Sequence, residues 1–570
     1  MLRRFALITL LLAAAPGAAH GAAFVNPVVA LPGAGTSCSQ LEVSERLPAI
    51  AGSASGRAVV AALAPDCSVA VALRSSGSTF GPSRVVGGQV ATGTETIDAP
   101  KALVNARGDA VVAWQTPQGC NVAYAPAGSD TIGAADPPGS LGEACAVALD
   151  GAGRVTIPRN GALVDRAANG VYGPLALALP APDAQVVALA ANEAGDTVAI
   201  AASPAGPGLR SLDMAIRPGG GTWGGFTHHL ATATAYRSLR SQRYVSLAVD
   251  AAGRITAVWP DQVANTLIIN SLGPTGVLMA ATGTVAGGMG AASPLPAPGR
   301  ALVEARRGYL FSANARGDVA VAFAAIAGPL SGTFVLTERP AGSPGFGPPT
   351  ILGTVRVTKL LGAYSRFAAA TVPIAVALAA DGSFEVVQGI EDVGVSFLQA
   401  RVRPAGGRLG RPFWLTPPQG TGQLFRNPTE VVASAGPAGT PLVAWRGAGP
   451  KVSSILTSPN SPPPAVATAG GPPPLTFKVL KVTIRAAYNG ARYVPSMRIT
   501  VRASRPTLGS VVILGRSDTF TVRRAGVSTV TDSCFTCYRR PLRPGKRLRL
   551  VIDLAGAGDG KVVRTVVLPR

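Results

Sequence analysis

Asn105-Ala-Arg-Gly-Asp-Ala-Val-Val-Ala-Trp114 decides the fold, because the chain writes this stretch again and again. Asn314–Phe323 reads NARGDVAVAF and Asp250–Trp259 reads DAAGRITAVW. Looser copies begin at Ser53, Asp150, Asn192, Ala379 and Gly436. Aligned on their fourth residue, the eight copies place glycine at 56, 108, 153, 195, 253, 317, 382 and 439, in steps of 42 to 65 residues. A unit recurring at this period makes a solenoid, a propeller or an array. Each unit is read as β: an apolar run enters Asp/Asn-x-x-Gly and a second apolar run leaves it. That pattern predicts a hairpin whose type I turn closes on a glycine at positive φ.

A second half-unit follows most copies. It is an apolar run, a Gly/Pro turn, then an aromatic or Leu, two residues, Pro and a short apolar run, as in VLTERPAGSPGFGPPTIL from Val335 and ARVRPAGGRLGRPFWL from Ala400. Two hairpins per period give four strands, the content of a propeller blade. The eighth copy lacks its final strand, whereas Phe24–Leu31 has that strand's pattern with no hairpin before it. The expectation is an all-β fold, a β-propeller over residues 24–460. It has eight blades closed by the N-terminal strand, with seven blades as the alternative, and closure removes exposed sheet edges.

Hydrophobic residues make up 47% of the chain but aromatics only 5%, so the core is built from small side chains. Residues 1–23 have the layout of a secretory signal peptide, with Arg3 and Arg4 before the apolar run Phe5–Ala15 and small residues around 19–23. Nothing else reads as a transmembrane segment. A secreted, extracytoplasmic protein, held at a surface non-covalently if at all, is the expected destination. Six cysteines in such a chain read as disulfides, and proximity pairs Cys38 with Cys67, Cys120 with Cys145 and Cys534 with Cys537.

Several features resemble functional motifs and are read as structural. Trp114, Trp259 and Trp445 share one offset, which suits packing between blades. Arg107-Gly108-Asp109 and Arg316-Gly317-Asp318 look like an integrin-binding tripeptide, but the turn chemistry alone generates them. His228 and His229 are neighbours on a strand and point to opposite faces, so they do not share a metal. No catalytic set, metal site or cofactor motif emerges.

At its repeats the chain resembles bacterial secreted β-propeller proteins, and distantly the sialidase-like propellers, over roughly residues 24–460. The likeness rests on Asp/Asn-x-x-Gly followed by an apolar strand that ends in Trp. The sialidase-type repeat has a maintained Ser and a spacing one residue shorter, so the kinship is one of architecture. It implies an Arg cluster, a Tyr nucleophile helped by a Glu, and an Asp; Glu304, Arg306, Arg307 and Tyr309 are fragments of such a set. A glycan-processing, sialidase-like hydrolase is therefore the alternative to a non-enzymatic reading.

Residues 461–474, SPPPAVATAGGPPP, form a Pro-rich linker. Beyond it, residues 475–570 alternate apolar and polar over six or seven short strands. This resembles an immunoglobulin-like or fibronectin type III-like β-sandwich. That segment holds 19 lysines and arginines against 4 acids, most of the chain's net charge of +22. With Ile499 and Val501 inward, Arg498 and Arg502 project outward, and Arg547 and Arg549 do the same beside Leu548 and Leu550. Arg539, Arg540, Arg543 and Lys546 extend the basic set. The expected partner is an anionic cell-envelope polymer or polysaccharide, with a protein partner for the propeller face. Nucleic acid is disfavoured because interleaved aromatics for base stacking are missing. The composite expectation is an exported binding or scaffold protein.

Overall fold

The computed structural model describes residues 28–32, 48–64, 66–75, 79–87, 99–116, 119–136, 145–234, 245–264, 275–302, 309–328, 331–356, 371–392, 395–410, 413–414, 431–434, 442–448, 453–457, 477–488, 493–503, 507–513, 516–522, 526–532, 547–554 and 562–567. The signal segment 1–23 and the linker 461–474 lie outside the described residues. Among the described residues every regular element is a β-strand, so the protein is all-β.

The turn that organises each unit has the geometry its residues require. At Asn105, the Gly108 N–H donates to the Asn105 carbonyl (3.0 Å) and the Asn105 N–H donates to the Asp109 carbonyl (3.1 Å). The same two bonds recur at Ser53, Asp150, Asn192, Asp250, Asn314 and Ala379. Gly108 and Gly317 both sit at φ +94°, where a side chain is strained. This is a type I turn extended by one left-handed residue. The eighth turn, at residues 436–439, lies outside the described residues.

Each turn joins the first two strands of an antiparallel sheet. In the first unit Ala49–Gly52, Ala58–Leu63, Val69–Arg74 and Arg84–Gly87 pair in chain order. The third, fourth and seventh units repeat this four-strand order, and the second has three described strands. The eighth sheet is assembled from both ends of the array. Val431–Ser434, Leu442–Ala448 and Ser453–Thr457 are followed by Val28–Pro32, with Val28 opposite Thr457.

The fifth and sixth units depart from the simple repeat by sharing one ten-stranded sheet. Val319–Gly328 is ten residues long, but its partner Leu310–Ala313 covers only Val319–Ala322. Arg300–Leu302 pairs with the uncovered part, Arg300 opposite Ile326, and also with Thr275–Thr284 of the fifth unit. Backbone polar groups left bare by the long strand are thereby satisfied, and the two units are stitched together.

Packing is between sheets. The middle strands Ala58–Leu63, Val69–Arg74 and Ala110–Thr116 are buried along their whole length, on both faces. One apolar cluster joins Val59, Val71 and Leu73 of the first sheet to Val112 and Trp114 of the second. Similar clusters join the second to the third, the third to the fourth, and so on to the seventh. The strands Thr371–Leu378 and Val431–Ser434 abut between the seventh and eighth. A further cluster brings Leu442 and Ala444 of the eighth sheet, with Leu31, against Ile50, Val60 and Ala72 of the first. Trp114, Trp259 and Phe323 are fully buried and each faces the preceding unit.

The turns also interlock. Asn105 Nδ2 donates both to Asp109 Oδ2 in its own turn (2.9 Å) and to the Asp150 carbonyl of the next turn (2.8 Å). Asn192 bonds Asp196 and the Asp250 carbonyl in the same way, and Asn314 bonds Asp318 and the Ala379 carbonyl. Each asparagine therefore ties one unit to the next.

The C-terminal segment forms two further antiparallel sheets. One has the order Phe477–Tyr488, Tyr493–Ala503, Gly526–Asp532; the other has Arg516–Val522, Thr507–Ile513, Arg547–Leu554, Val562–Val567.

A methyl group at Gly317 meets positive φ, the Asp250 carboxylate of the preceding turn and Arg254 Nη2 at 2.7 Å, whereas at Gly406 (φ +66°) it meets open space. Gly406→Ala is expected to cost about 1 kcal/mol of backbone strain. Gly317→Ala adds overpacking and should cost about 3 kcal/mol. Equal losses in denaturant unfolding of the two variants would contradict the interlocked-turn description.

Candidate functional site

The basic residues picked out near the C-terminus are placed by the alternation of one three-stranded sheet. Val479, Ile499, Val501 and Ala503 are buried on one side of it. Arg498 and Arg502, offset by one residue, are exposed on the other. Register turns these positions into rows across the sheet. Lys478 stands opposite Arg502, which stands opposite Val527. Lys481, Thr500 and Thr529 form the next row, where the two threonine hydroxyls share a hydrogen bond of 3.0 Å. Thr483, Arg498 and Thr531 form the third. Arg498 and Arg502 are thus about 13 Å apart along their strand, with Lys478 roughly 5 Å to the side of Arg502 at the backbone.

Lys478 and Lys481 were not among the residues singled out from sequence. Strict alternation puts positions 478 and 481 on opposite faces. A bulge between Val479 and Lys481 absorbs one residue and returns both lysines to the exposed side. The same bulge leaves Leu480 exposed, and Val527 is exposed beside Arg502. The face therefore presents cations with two apolar side chains among them. Like charges directly across a strand pair oppose folding, so the Lys478–Arg502 pairing is not there for stability.

On the second C-terminal sheet, Arg547 lies opposite Val567 and Arg549 opposite Thr565, on the strand whose Ile552 is buried. Arg539, Arg540, Arg543 and Lys546 lie outside the described residues. Of the cysteines, Cys120 and Cys145 form a disulfide within the cluster between the second and third sheets. Cys67 is also disulfide-bonded. The three remaining cysteines, Cys38, Cys534 and Cys537, lie outside the described residues.

Within the array the motif-like residues have structural partners. The Asp109 carboxylate accepts from Asn105 and from the Ala127 N–H (2.9 Å) and is fully buried. Burial pushes its pKa up, but those hydrogen bonds outweigh it and hold the group below the ordinary carboxylate value. Arg107 and Arg316 reach forward to the Ala152 and Asp381 carbonyls of the following turns. The two Arg-Gly-Asp tripeptides are thus parts of the turn-to-turn joints. His229 Nδ1 lies 2.9 Å from Asp213 Oδ1, and no metal-competent cluster occurs among the described residues. No helix among the described residues is long and apolar enough to cross a membrane.

Two titratable groups bear on the enzymatic alternative. Tyr309 donates its hydroxyl to the Val258 carbonyl (2.8 Å), and burial pushes its phenol well above its ordinary range. Glu304, Arg306 and Arg307 lie outside the described residues. Glu385 is 3% exposed on Phe384–Asp392, and burial raises its carboxyl to about 8. Its flanks Phe384 and Val386 are also buried, because this sheet is covered on both faces.

No protein family matches this chain, and no curated protein is similar to it in sequence. Among solved structures, a Dyadobacter fermentans protein of unknown function is similar at 11% identity, covering 77% of this chain and 99% of its own, with a TM-score of 0.34. The polysaccharide lyase Uly1 is similar at 10% identity, covering 79% and 94%, with a TM-score of 0.36. The Dos1 propeller is similar at 7% identity, covering 76% and 96%, with a TM-score of 0.39. At these TM-scores none of the likenesses assigns an activity to this chain.

The folded chain holds a proton on Glu385 from its ordinary value of 4.5 up to about 8, a range in which the unfolded chain has released it. Stability contributed at this site therefore falls as pH rises through that window. Glu385→Gln should match the parent's melting temperature near pH 4 and exceed it at pH 8.5. A constant difference across the pH series would show that Glu385 does not titrate in this way.

Proposed function

We propose that the protein is an exported, non-enzymatic binding or scaffold protein whose C-terminal domain attaches to an anionic cell-envelope polymer or polysaccharide. Residues 24–460 are read as a β-propeller of eight blades, closed through the N-terminal strand, that offers a rigid face to a protein partner. Residues 475–570 are read as an immunoglobulin-like or fibronectin type III-like sandwich carried beyond the linker 461–474. The division of its seven described strands into a three-stranded and a four-stranded sheet, with the crossover from Arg516–Val522 to Gly526–Asp532, supports that reading. The disulfide Cys120–Cys145 supports an extracytoplasmic setting.

The observation that carries the proposal is the basic face itself. Lys478, Lys481, Arg498 and Arg502 are exposed together, two of them directly opposite one another at a cost to folding. Guanidinium groups favour bidentate contact with carboxylate, sulfate or phosphate groups. A linear polyanion laid along the strand direction meets cations at regular spacing and neutralises the mutual repulsion. Exposed Leu480 and Val527 supply contact for the apolar faces of a sugar chain. Signal cleavage near residue 23 delivers the chain to the compartment where such polymers occur.

The test compares the parent with the double variant Arg498→Glu, Arg502→Glu in binding to an immobilised acidic polysaccharide across a salt series. The parent is expected to bind at low salt and release as salt rises. The variant should lose at least tenfold in affinity at low salt while its melting temperature holds or rises. Undiminished binding by the folded variant would remove this face from the function.

A further inference from the structure

Cations on the three-stranded C-terminal sheet do not all have the same kind of cross-strand neighbour. Arg498 stands between Thr483 and Thr531, Lys481 beside Thr500, and Arg485 beside Ser496, so each of these meets a hydroxyl residue. Among the described rows, only that of Arg502 sets two cations directly opposite one another, with Lys478 on one side and Val527 on the other. No acid enters that row. The one acid on the described strands of the sheet, Asp532, pairs with Met497, at the other end of the register from Arg502.

Directly opposite residues hold their Cβ atoms about 5 Å apart, close enough for two long cationic side chains to converge on one group. Lys478, Arg502 and Val527 are all exposed, so that group can arrive from solution. The number of acceptor oxygens then discriminates among anions. A carboxylate has two, and the guanidinium fork takes both, so the Lys478 ammonium must share an oxygen already engaged. A sulfate or phosphate monoester presents three terminal oxygens, two for the fork and one for the ammonium. Charge points the same way. Two facing cations ask for more than one carboxylate brings, and a phosphate monoester carries close to two negative charges at neutral pH.

We propose that Lys478 and Arg502 clamp one sulfate or phosphate monoester group, so that the polymer on this face is a sulfated or phosphorylated polysaccharide and not a polyuronate. This inference rests on the attachment reading above and narrows it to a substrate class. Lys481, in the adjacent row about 7 Å along the strand, and Arg498 beyond it meet further anionic groups of the same chain singly. The Lys478–Arg502 row carries the selectivity, and the other two cations add affinity for any polyanion.

Dextran can carry each of these groups on one backbone. Immobilised dextran sulfate, dextran phosphate and carboxymethyl dextran, matched in charge density, are compared at one ionic strength with the full chain. The parent should bind the sulfate or the phosphate form about tenfold more tightly than the carboxymethyl form. Whichever monoester binds more tightly identifies the group. Lys478→Gln should abolish that preference. Lys481→Gln, which removes the same charge from the neighbouring row, should weaken binding to every form and keep the preference. Removing one of two facing cations relieves repulsion, so Lys478→Gln folds at least as well as the parent. A parent that binds every form equally, or a Lys478→Gln variant that keeps the preference, would overturn the clamp and leave attachment standing. A parent that binds none of them removes the attachment reading and the clamp together.

Discussion

A single side-chain amide does the work on which the array depends. Asn105, Asn192 and Asn314 each close their own turn and donate to the carbonyl that begins the next unit's turn. A hairpin turn by itself specifies only its own two strands. With one donor spent on the neighbour, the turn also fixes how far and at what angle the next sheet stands. Asparagine suits this position because it offers an acceptor to the turn backbone and two donors that can be split between units.

The intervening turns complete the scheme with different chemistry. Asp150 and Asp250 use one carboxylate oxygen for backbone N–H groups and pair the other with Arg154 and Arg254. Arg254 continues to the Arg316 carbonyl of the following turn. Asn–Asp turns thus alternate with Asp–Arg turns from the second unit to the sixth, and charge is compensated locally in a core otherwise made of Ala and Val.

How much of this was legible in the sequence follows from the kind of signal involved. Glycine at positive φ has few substitutes, so Gly56 through Gly382 marked the turns directly, and the alternation around Ile499 and Val501 sorted Arg498 and Arg502 to the exposed face. The bulge that brings Lys478 and Lys481 together left no mark, because a one-residue slip carries no composition of its own. Glu385 was hidden for another reason: a strand covered on both faces has no outward side to which an acid can be assigned. The stitching of the fifth and sixth units by Arg300–Leu302 depends on strand lengths that emerge only from pairing.

The two ends of the array support one another through Val28–Pro32, which pairs with Ser453–Thr457. Leu31 is buried in the cluster that contains Val60 of the first sheet and Leu442 of the eighth. Amide hydrogen exchange on the full chain and on a variant lacking residues 24–32 tests this directly. Protection should fall in Ser453–Thr457 and also in Ala58–Leu63, which never pairs with the missing strand. Loss confined to Ser453–Thr457, with Ala58–Leu63 unchanged, would contradict it.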